Sequence, residues 1–594
     1  MANETFRWID ENLKDEIDFV IWTGDSARHD NDEAIPRGED EILRLNELMV
    51  EKFVETFSTD PNSDDSSLSV PIVPTFGNND IMPHNIFEAG PNLWTKKFVK
   101  IWDKFISEEQ RHAFVQGGWF TSELIPGKLA AISLNTMYFF DNNHAVDGCD
   151  AKSEPGYEHM EWLRVQLERL RERGMAVILM GHVPPARSST KQSWEESCWQ
   201  KYTLWVHQYR DIIVGSIYGH MNIDHFMLQD SHDIEIAKTG DENAADYDDD
   251  KEDDDTVSKD ISATSRPGYL SSLRREWSKL PSPPEGNGED VDLVDGDYGD
   301  CSPETEKKRK SKNKFFKKIG GPYAERYSTS LVSPSVVPNY FPTLRVIEYN
   351  ITGIENTPTW ADVLANRRSE NERPSHESYG SDTEFASEML PEGEADSNKK
   401  KKKKKGPHFK VPPPPSRTAP PGPAYSNQAL SWLRYTQYFA NLTRINNEIA
   451  QHGKKHKGNG GFKYEVEYNT QFDKEYKLKD LTVLNFFKLA SRIAKGDPDK
   501  NETTLSSFDN EASIDIDDEA FTEDSSNDST TGCAIYEGHE TCDDGNEYDE
   551  RRDNNERKKK KQNKRNRSWE TFLSRAFVGY LDIDEIEDEL GGAR

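Results

Sequence analysis

Four glycine-led stretches of the chain carry residues suited to holding metal ions. Thr23-Gly24-Asp25 is followed by His29. Gly77-Asn78-Asn79-Asp80, Gly181-His182-Val183-Pro184-Pro185 and Gly219-His220-Met221-Asn222 complete the set. A carboxylate can bridge two divalent ions, an amide oxygen is a neutral hard ligand, and imidazole nitrogens complete a site of borderline softness. Two such ions roughly 3.5–4 Å apart can bind both the attacking oxygen and the phosphoryl oxygens of an in-line displacement. A glycine ahead of each ligand lets the backbone turn sharply with no Cβ in the way. Any one of these stretches alone is an ordinary turn; four in order make a site.

Each stretch follows a short apolar run: IDFVIW (17–22), VPIVPTF (70–76), MAVILM (175–180) and DIIVGSIY (211–218). LAAISL (129–134) is a further run of this kind. Runs of this length bounded by turn residues read as buried strands. GYEHMEWLRVQLERLRERG (156–174) reads as a helix, with Trp162, Leu163, Leu167 and Leu170 on one face and Gly174 as its stop. The expectation is an α/β layered core over residues 1–240, with the ligands at the carboxyl edge of its strands, where open α/β sheets assemble their sites.

Beyond 240 the character changes. The 594 residues carry 75 Lys and Arg against 108 Asp and Glu, a net charge of -33 that argues against a general nucleic-acid binder. Charged residues reach 31% and the mean hydropathy is -0.89, so a compact core diluted by long insertions is expected rather than several domains. Residues 241–337 read as a disordered charged insertion and 338–365 as a strand returning to the core. Residues 366–423 read as a Lys/Pro-rich linker and 424–495 as a subdomain packing on the core. There LSWLRYTQYFANLTRIN reads as helical, YEVEYNT as a strand and LTVLNFFKLASRI as a helix. Residues 496–566 read as acidic and then basic disorder, and 567–594 as an amphipathic segment able to dock back. The chain as written shows no apolar run long enough to cross a membrane and no signal peptide.

The order GD…GNxD…GH…GHxx resembles the calcineurin-like metallophosphoesterase superfamily. WTGDSARHDND, FGNNDIMPHNIF, GHVPP, YGHMNIDHF and NYFPTLRVIEYNITG together resemble its fungal vacuolar endopolyphosphatases, relatives of acid sphingomyelinase. The resemblance implies an α/β/β/α sandwich with long disordered insertions. It also implies two divalent ions (Mn, Co, Mg, Zn or Fe), inorganic polyphosphate as substrate and a place on the lumenal face of the vacuolar membrane. Carried over by position, Asp25 bridges the metals and Asn78, His182, His220 and Asn222 are further ligands. His29 and Asn79 act on the substrate, while Asp80 and Asp224 support from behind.

The chain departs from the family pattern in three places. Asn222 stands where the last histidine of G-H-x-H is expected, and Asn79 where the histidine of G-N-H-D is expected. Asparagine cannot shuttle a proton, so weight moves to His29; a polyphosphate leaving group needs protonation less than an alkoxide does. The D-x-H motif expected upstream is not in this chain, which begins with the helical FRWIDENLK. The resulting expectation is an N-terminally incomplete copy whose membrane anchor lies in a segment absent here. Sphingomyelinase-like phosphodiester cleavage, or a catalytically impaired scaffold, are the competing functions.

Five cysteines are too few and too scattered for a zinc module, and an odd count is not a complete disulfide framework. Cys533 and Cys542 are close enough to bridge and equally readable as free thiols. Sequons at Asn350, Asn441 and Asn501 are the glycosylation candidates among several. His84 either lines the substrate channel or does not. The lysine blocks at 307–318 and 399–405 are either polyanion-attracting or plain solvated linker.

Overall fold

The computed structural model describes residues 1–29, 34–59, 67–235, 266–282, 303–337, 340–360, 362–363, 409–416, 418–452, 462–495 and 566–586. The expected buried strands form. β1 (Val20–Trp22) pairs in parallel with β2 (Ile72–Pro74). A six-stranded sheet runs β3 (Phe120–Ile125), β4 (Leu129–Ser133), β5 (Ala176–Met180), β6 (Ile213–Tyr218), β8 (Tyr327–Val332) and β7 (His225–Asp230) across its width. Strands β4, β5, β6 and β8 are mutually parallel, and β3 and β7 close the two edges antiparallel. A third, antiparallel sheet has the order β11 (Glu465–Asn469), β10 (Trp432–Phe439), β9 (Thr343–Tyr349).

Polar and aromatic contacts tie these sheets together. Ser133 donates to the Pro74 carbonyl at 2.7 Å and Thr75 to the Leu134 carbonyl at 2.8 Å, joining β2 to β4. The Trp432 ring of β10 lies so close to Gly215 of β6 that a Cβ there would come within 2.5 Å of it. The helix Ala2–Asn12 lays Phe6 against Phe53 of the helix Glu39–Phe57, and Phe53 in turn packs on Trp22. The helices Pro155–Glu172 and Glu196–Gln208 pack on each other, with Trp205 donating to the Met160 carbonyl. Helix Pro155–Glu172 buries Leu163, Leu167 and Leu170 as its spacing requires, and Gly174 at φ +65° ends it. The architecture is the layered α/β sandwich.

Several expectations are corrected. LSWLRYTQYF is not helical: Trp432–Phe439 is the central strand of the third sheet, and the helix begins only at Leu442. Pairing on both edges and a run of Trp, Tyr, Thr and Phe favour the strand over the helical spacing of its apolar residues. The stretch 241–337 is not a uniformly disordered insertion, since it contains helices Arg266–Ser278 and Pro303–Ile319 and the strand β8. β8 reads as polar because Ser330 is buried yet satisfied by Ser216 at 2.8 Å and Gln229 at 3.0 Å. The proline-rich end of the expected linker also reaches the core, where Phe409 is buried against Trp205. Residues 366–408 of the expected linker and the segments 241–265 and 496–565 lie outside the described residues.

One covalent feature was not anticipated. Cys149 and Cys198 form a disulfide, fixing the loop after β4 to the helix Glu196–Gln208. Cys533 and Cys542 lie outside the described residues.

Candidate metal centre

The loops after β1 and β2 interlock before either reaches a ligand. Gly24 and Asp25 both take left-handed backbone, φ +83° and +59°. A Cβ on Gly24 would stand 2.7 Å from the Gly77 nitrogen, and one on Gly77 would stand 2.1 Å from Asp25 Oδ1, so both must be glycine. Asp80 clamps the pair. Its buried carboxylate accepts from the backbone amides of Asp25 (2.8 Å), Ser26 (2.9 Å), Ala27 (3.1 Å) and Gly77 (3.0 Å), and from Asn46 Nδ2 (3.0 Å). Burial and the neighbouring Asp25 charge push the Asp80 proton affinity up, while those donors pull it down.

Asp25 faces His182 across this clamp. Its Oδ1 accepts from the Asn79 amide at 2.9 Å and its Oδ2 from Asn79 Nδ2 at 3.0 Å. His182 Nε2 lies 3.2 Å from Oδ2, and His29 Nε2 3.7 Å. Burial alone would raise the Asp25 pKa, but His182, His29 and the Asn79 amide hold it well below the usual carboxylate range. Burial lowers the proton affinity of His182 and the Asp25 charge more than restores it, for a net rise. His220 is held well below its ordinary value, by burial first and then by His182.

His182 Nδ1 sits 2.6 Å from the Thr23 carbonyl, which can only accept, so Nδ1 carries a proton and Nε2 is the inward atom. Asn78 Oδ1 lies 2.9 Å from His182 Nε2 and 2.9 Å from His220 Nδ1. Asn78 Nδ2 points the other way, to His84 Nε2 at 2.8 Å and Asn85 Oδ1 at 2.9 Å. A carboxylate oxygen, an amide oxygen and two imidazole nitrogens therefore converge, the nearest atoms of Asp25, His182 and His220 lying within 4.8 Å of one another. With both rings neutral, four lone pairs face one point, an arrangement that asks for a cation. The donor set fits a divalent metal.

The remaining sequence candidates fall in three places. His29 is at the rim, with a side chain 36% exposed, open to a ligand entering from solvent. Asn79 spends its side-chain amide on Asp25, and its Oδ1 is buried with no hydrogen bond. Asn222 has left-handed backbone, φ +56°, and makes no hydrogen bond to the cluster. Asp224 is not behind the site. Its carboxylate pairs with Arg345 at 2.6 Å and accepts from Tyr468, in a separate buried group with Arg575 and Asp473. Left-handed backbone at His220 and again at Asn222 turns the chain away before Asp224 is reached. His225 is buried between the Ile223 carbonyl and the Tyr269 hydroxyl.

Sequence reasoning missed what orients the ligands: Thr23 through its carbonyl, Asn46 through Asp80, and the His84–Asn85 pair through Asn78. Only the last left a trace, a second polar pair placed soon after GNND. Of the sequon residues, Asn350 is half-buried and donates through Nδ2 to Asn427 Oδ1 at 2.7 Å, Asn441 accepts from the Arg444 amide at the start of its helix, and Asn501 lies outside the described residues.

Comparison with known proteins agrees with this geometry. Residues 2–223 match the family model described as calcineurin-like phosphoesterase. An endopolyphosphatase of Neurospora crassa is 44% identical over 83% of this chain and 71% of its own length. That of Saccharomyces cerevisiae is 36% identical over 84% and 76%, and that of Schizosaccharomyces pombe 35% over 84% and 74%. The chain belongs to the endopolyphosphatase family of calcineurin-like metallophosphoesterases.

Proposed function

We propose that the protein is a hydrolase that uses divalent metal to cut internal phosphoanhydride bonds of inorganic polyphosphate. The observation that carries this is the convergence of Asp25, Asn78, His182 and His220 on one point, in a chain of this family. Those four residues would hold the metal, with Asp25 shared if two ions bind. Bound metal supplies Lewis acidity to phosphoryl oxygens and eases deprotonation of water. His182 is kept in one tautomer by Thr23, and Asp25 is kept ionised by Asn79 and His182, so the site needs little rearrangement to bind metal. His29 at the rim, 3.7 Å from the Asp25 carboxylate and open to solvent, is the group we assign to assist the departing phosphate oxygen.

Two further parts of the reading have support of their own. A Cys149–Cys198 bridge suits a chain that folds in an oxidising compartment, in keeping with a vacuolar lumen. A phosphodiesterase acting on an alkoxide leaving group would gain more from an imidazole at position 79, where the Asn79 amide is instead spent on Asp25.

The test is to incubate the protein with long-chain polyphosphate and added Mn²⁺, Co²⁺ or Mg²⁺ and to resolve products by length. Early appearance of intermediate lengths is expected. Intact polyphosphate alongside hydrolysis of a choline phosphodiester would transfer the assignment to the sphingomyelinase-like activity, and absence of metal binding would leave a scaffold.

A further inference from the structure

The chain carries a net charge of -33, yet eight of the twelve residues from Lys307 to Lys318 are Lys or Arg and none is acidic. The structure makes this run part of a helix, Pro303–Ile319, fixed to the core. Phe315 and Ile319 are buried, in a cluster with Tyr327, Val483, Leu484 and Phe487. The Ile319 carbonyl accepts from the Arg326 amide at 3.1 Å, which locks the helix end to the start of β8. Arg309, Lys314, Lys317 and Lys318 are exposed on the opposite side.

Several other surface cations are neutralised by a neighbouring acid. Arg7, Lys14, Lys52, Arg187, Arg434 and Arg444 each have a carboxylate partner. Among the described residues, Arg309, Lys314, Lys317 and Lys318 have none. The nearby acids Glu325 and Asp230 are committed to Arg210 and Arg326. Lys317 and Lys318 suit the negative end of the helix dipole, but Arg309 and Lys314 stand too early for that account. An unneutralised row of cations on a rigid base focuses potential on a polyanion.

Its position says what kind of polyanion. β6 and β8 are parallel, and β6 leads directly into Gly219-His220 at the metal edge. The basic helix feeds the opposite end of β8, whose six residues put about 20 Å between that end and the catalytic edge. We propose that the exposed face of the helix Pro303–Ile319 is a second binding surface for polyphosphate, engaging a distant part of the chain being cut at the metal centre. The proposal rests on the assignment of polyphosphate as substrate. It makes the enzyme favour long chains, because a short oligophosphate cannot occupy both places.

The experiment compares the full chain with its R309Q/K314Q/K317Q/K318Q variant, all four side chains being exposed and unpaired so that the fold is kept; an unchanged Tm verifies this. Binding of labelled long-chain polyphosphate and of tripolyphosphate is measured by fluorescence anisotropy in EDTA. The variant should lose about tenfold in affinity for the long chain, with a shallower dependence on salt, and nothing for tripolyphosphate. With metal added, KM for the long chain should rise by the same factor at constant kcat. Unchanged long-chain affinity, or an equal loss for tripolyphosphate, overturns the proposal. Because the EDTA measurement needs no turnover, it separates this outcome from failure of the hydrolase assignment, which would show as no cleavage by either protein.

Discussion

Replacing His84 tests how the metal ligands are oriented. An amide presents one acceptor atom and two donor hydrogens, and Asn78 meets four partners. Its Nδ2 reaches His84 Nε2 at 2.8 Å and Asn85 Oδ1 at 2.9 Å; its Oδ1 reaches His182 and His220, both at 2.9 Å. The two outward acceptors keep the NH₂ group outside and so keep the oxygen turned to the metal. Without metal, the inward lone pairs of His182 and His220 would accept the NH₂ group equally well. Only the outer pair prevents the flip. A His84→Leu change removes one outer hydrogen bond, about 1 kcal/mol, and loss of such supporting contacts typically costs 10–100-fold in metal affinity. We expect the Kd for Mn²⁺, by calorimetry on the metal-free protein, to rise about tenfold, with kcat at saturating metal little changed. His84→Gln can place Oε1 where the imidazole nitrogen was and should recover most of the affinity. An unchanged Kd in His84→Leu, or a His84→Gln variant equally impaired, would refute the orienting role.

Asp25→Asn should abolish hydrolysis and weaken metal binding while the fold persists, since Asp80 rather than Asp25 clamps the two loops; full activity would remove Asp25 from the ligand set. Glu467 is held up to about 8 by burial and by the Asp224 charge, against the opposing pull of Arg575 and Arg345. An acid whose folded pKa is raised keeps more protons in the folded state, so this group costs stability progressively as pH climbs from about 4.5 to about 8. Glu467→Gln should therefore raise Tm at pH 8 and leave it unchanged near pH 4.5, and a pH-independent gap would contradict the assignment. Replacing Cys149 and Cys198 by serine releases a 49-residue separation and should cost about 4 kcal/mol in the chain-entropy account, read as a lower midpoint in urea.

Much of the site could be read from the sequence because each ligand follows a buried strand through a glycine, and both signals are local. Gly24 and Gly77 are glycine for the same reason that Asp25 and Asn78 meet, namely that the two backbones touch. What was hidden depends on partners far along the chain. β8 carries Ser328 and Ser330 where an apolar run would be expected, and the hydroxyls are satisfied only by β6 and β7. Cys149 and Cys198 lie 49 positions apart with nothing nearby to announce a pair. Asp224 was misread because it is four residues from His220 in sequence, and two left-handed turns send it elsewhere.

Where Asp224 goes also explains why distant segments belong to this core. Its backbone amide donates to the carbonyl of Ala576, the last residue of the helix Arg567–Ala576, and its side chain reaches Arg345 on β9 and Tyr468 on β11. Arg575 of the same helix lies between the rings of Tyr468 and Tyr476, at 3.9 and 4.1 Å, and pairs with Asp473. A buried aspartate with a paired arginine and a tyrosine donor is strongly destabilised if one partner is removed. The chain that leaves the His220 turn is therefore anchored, through Asp224, by residues contributed more than a hundred positions later. The interlocked loops at Asp25 and Asn78 are clamped by Asp80 and oriented by His84 and Asn85, all close in sequence, whereas the His220 side of the metal centre is tied to the third sheet and the C-terminal helix.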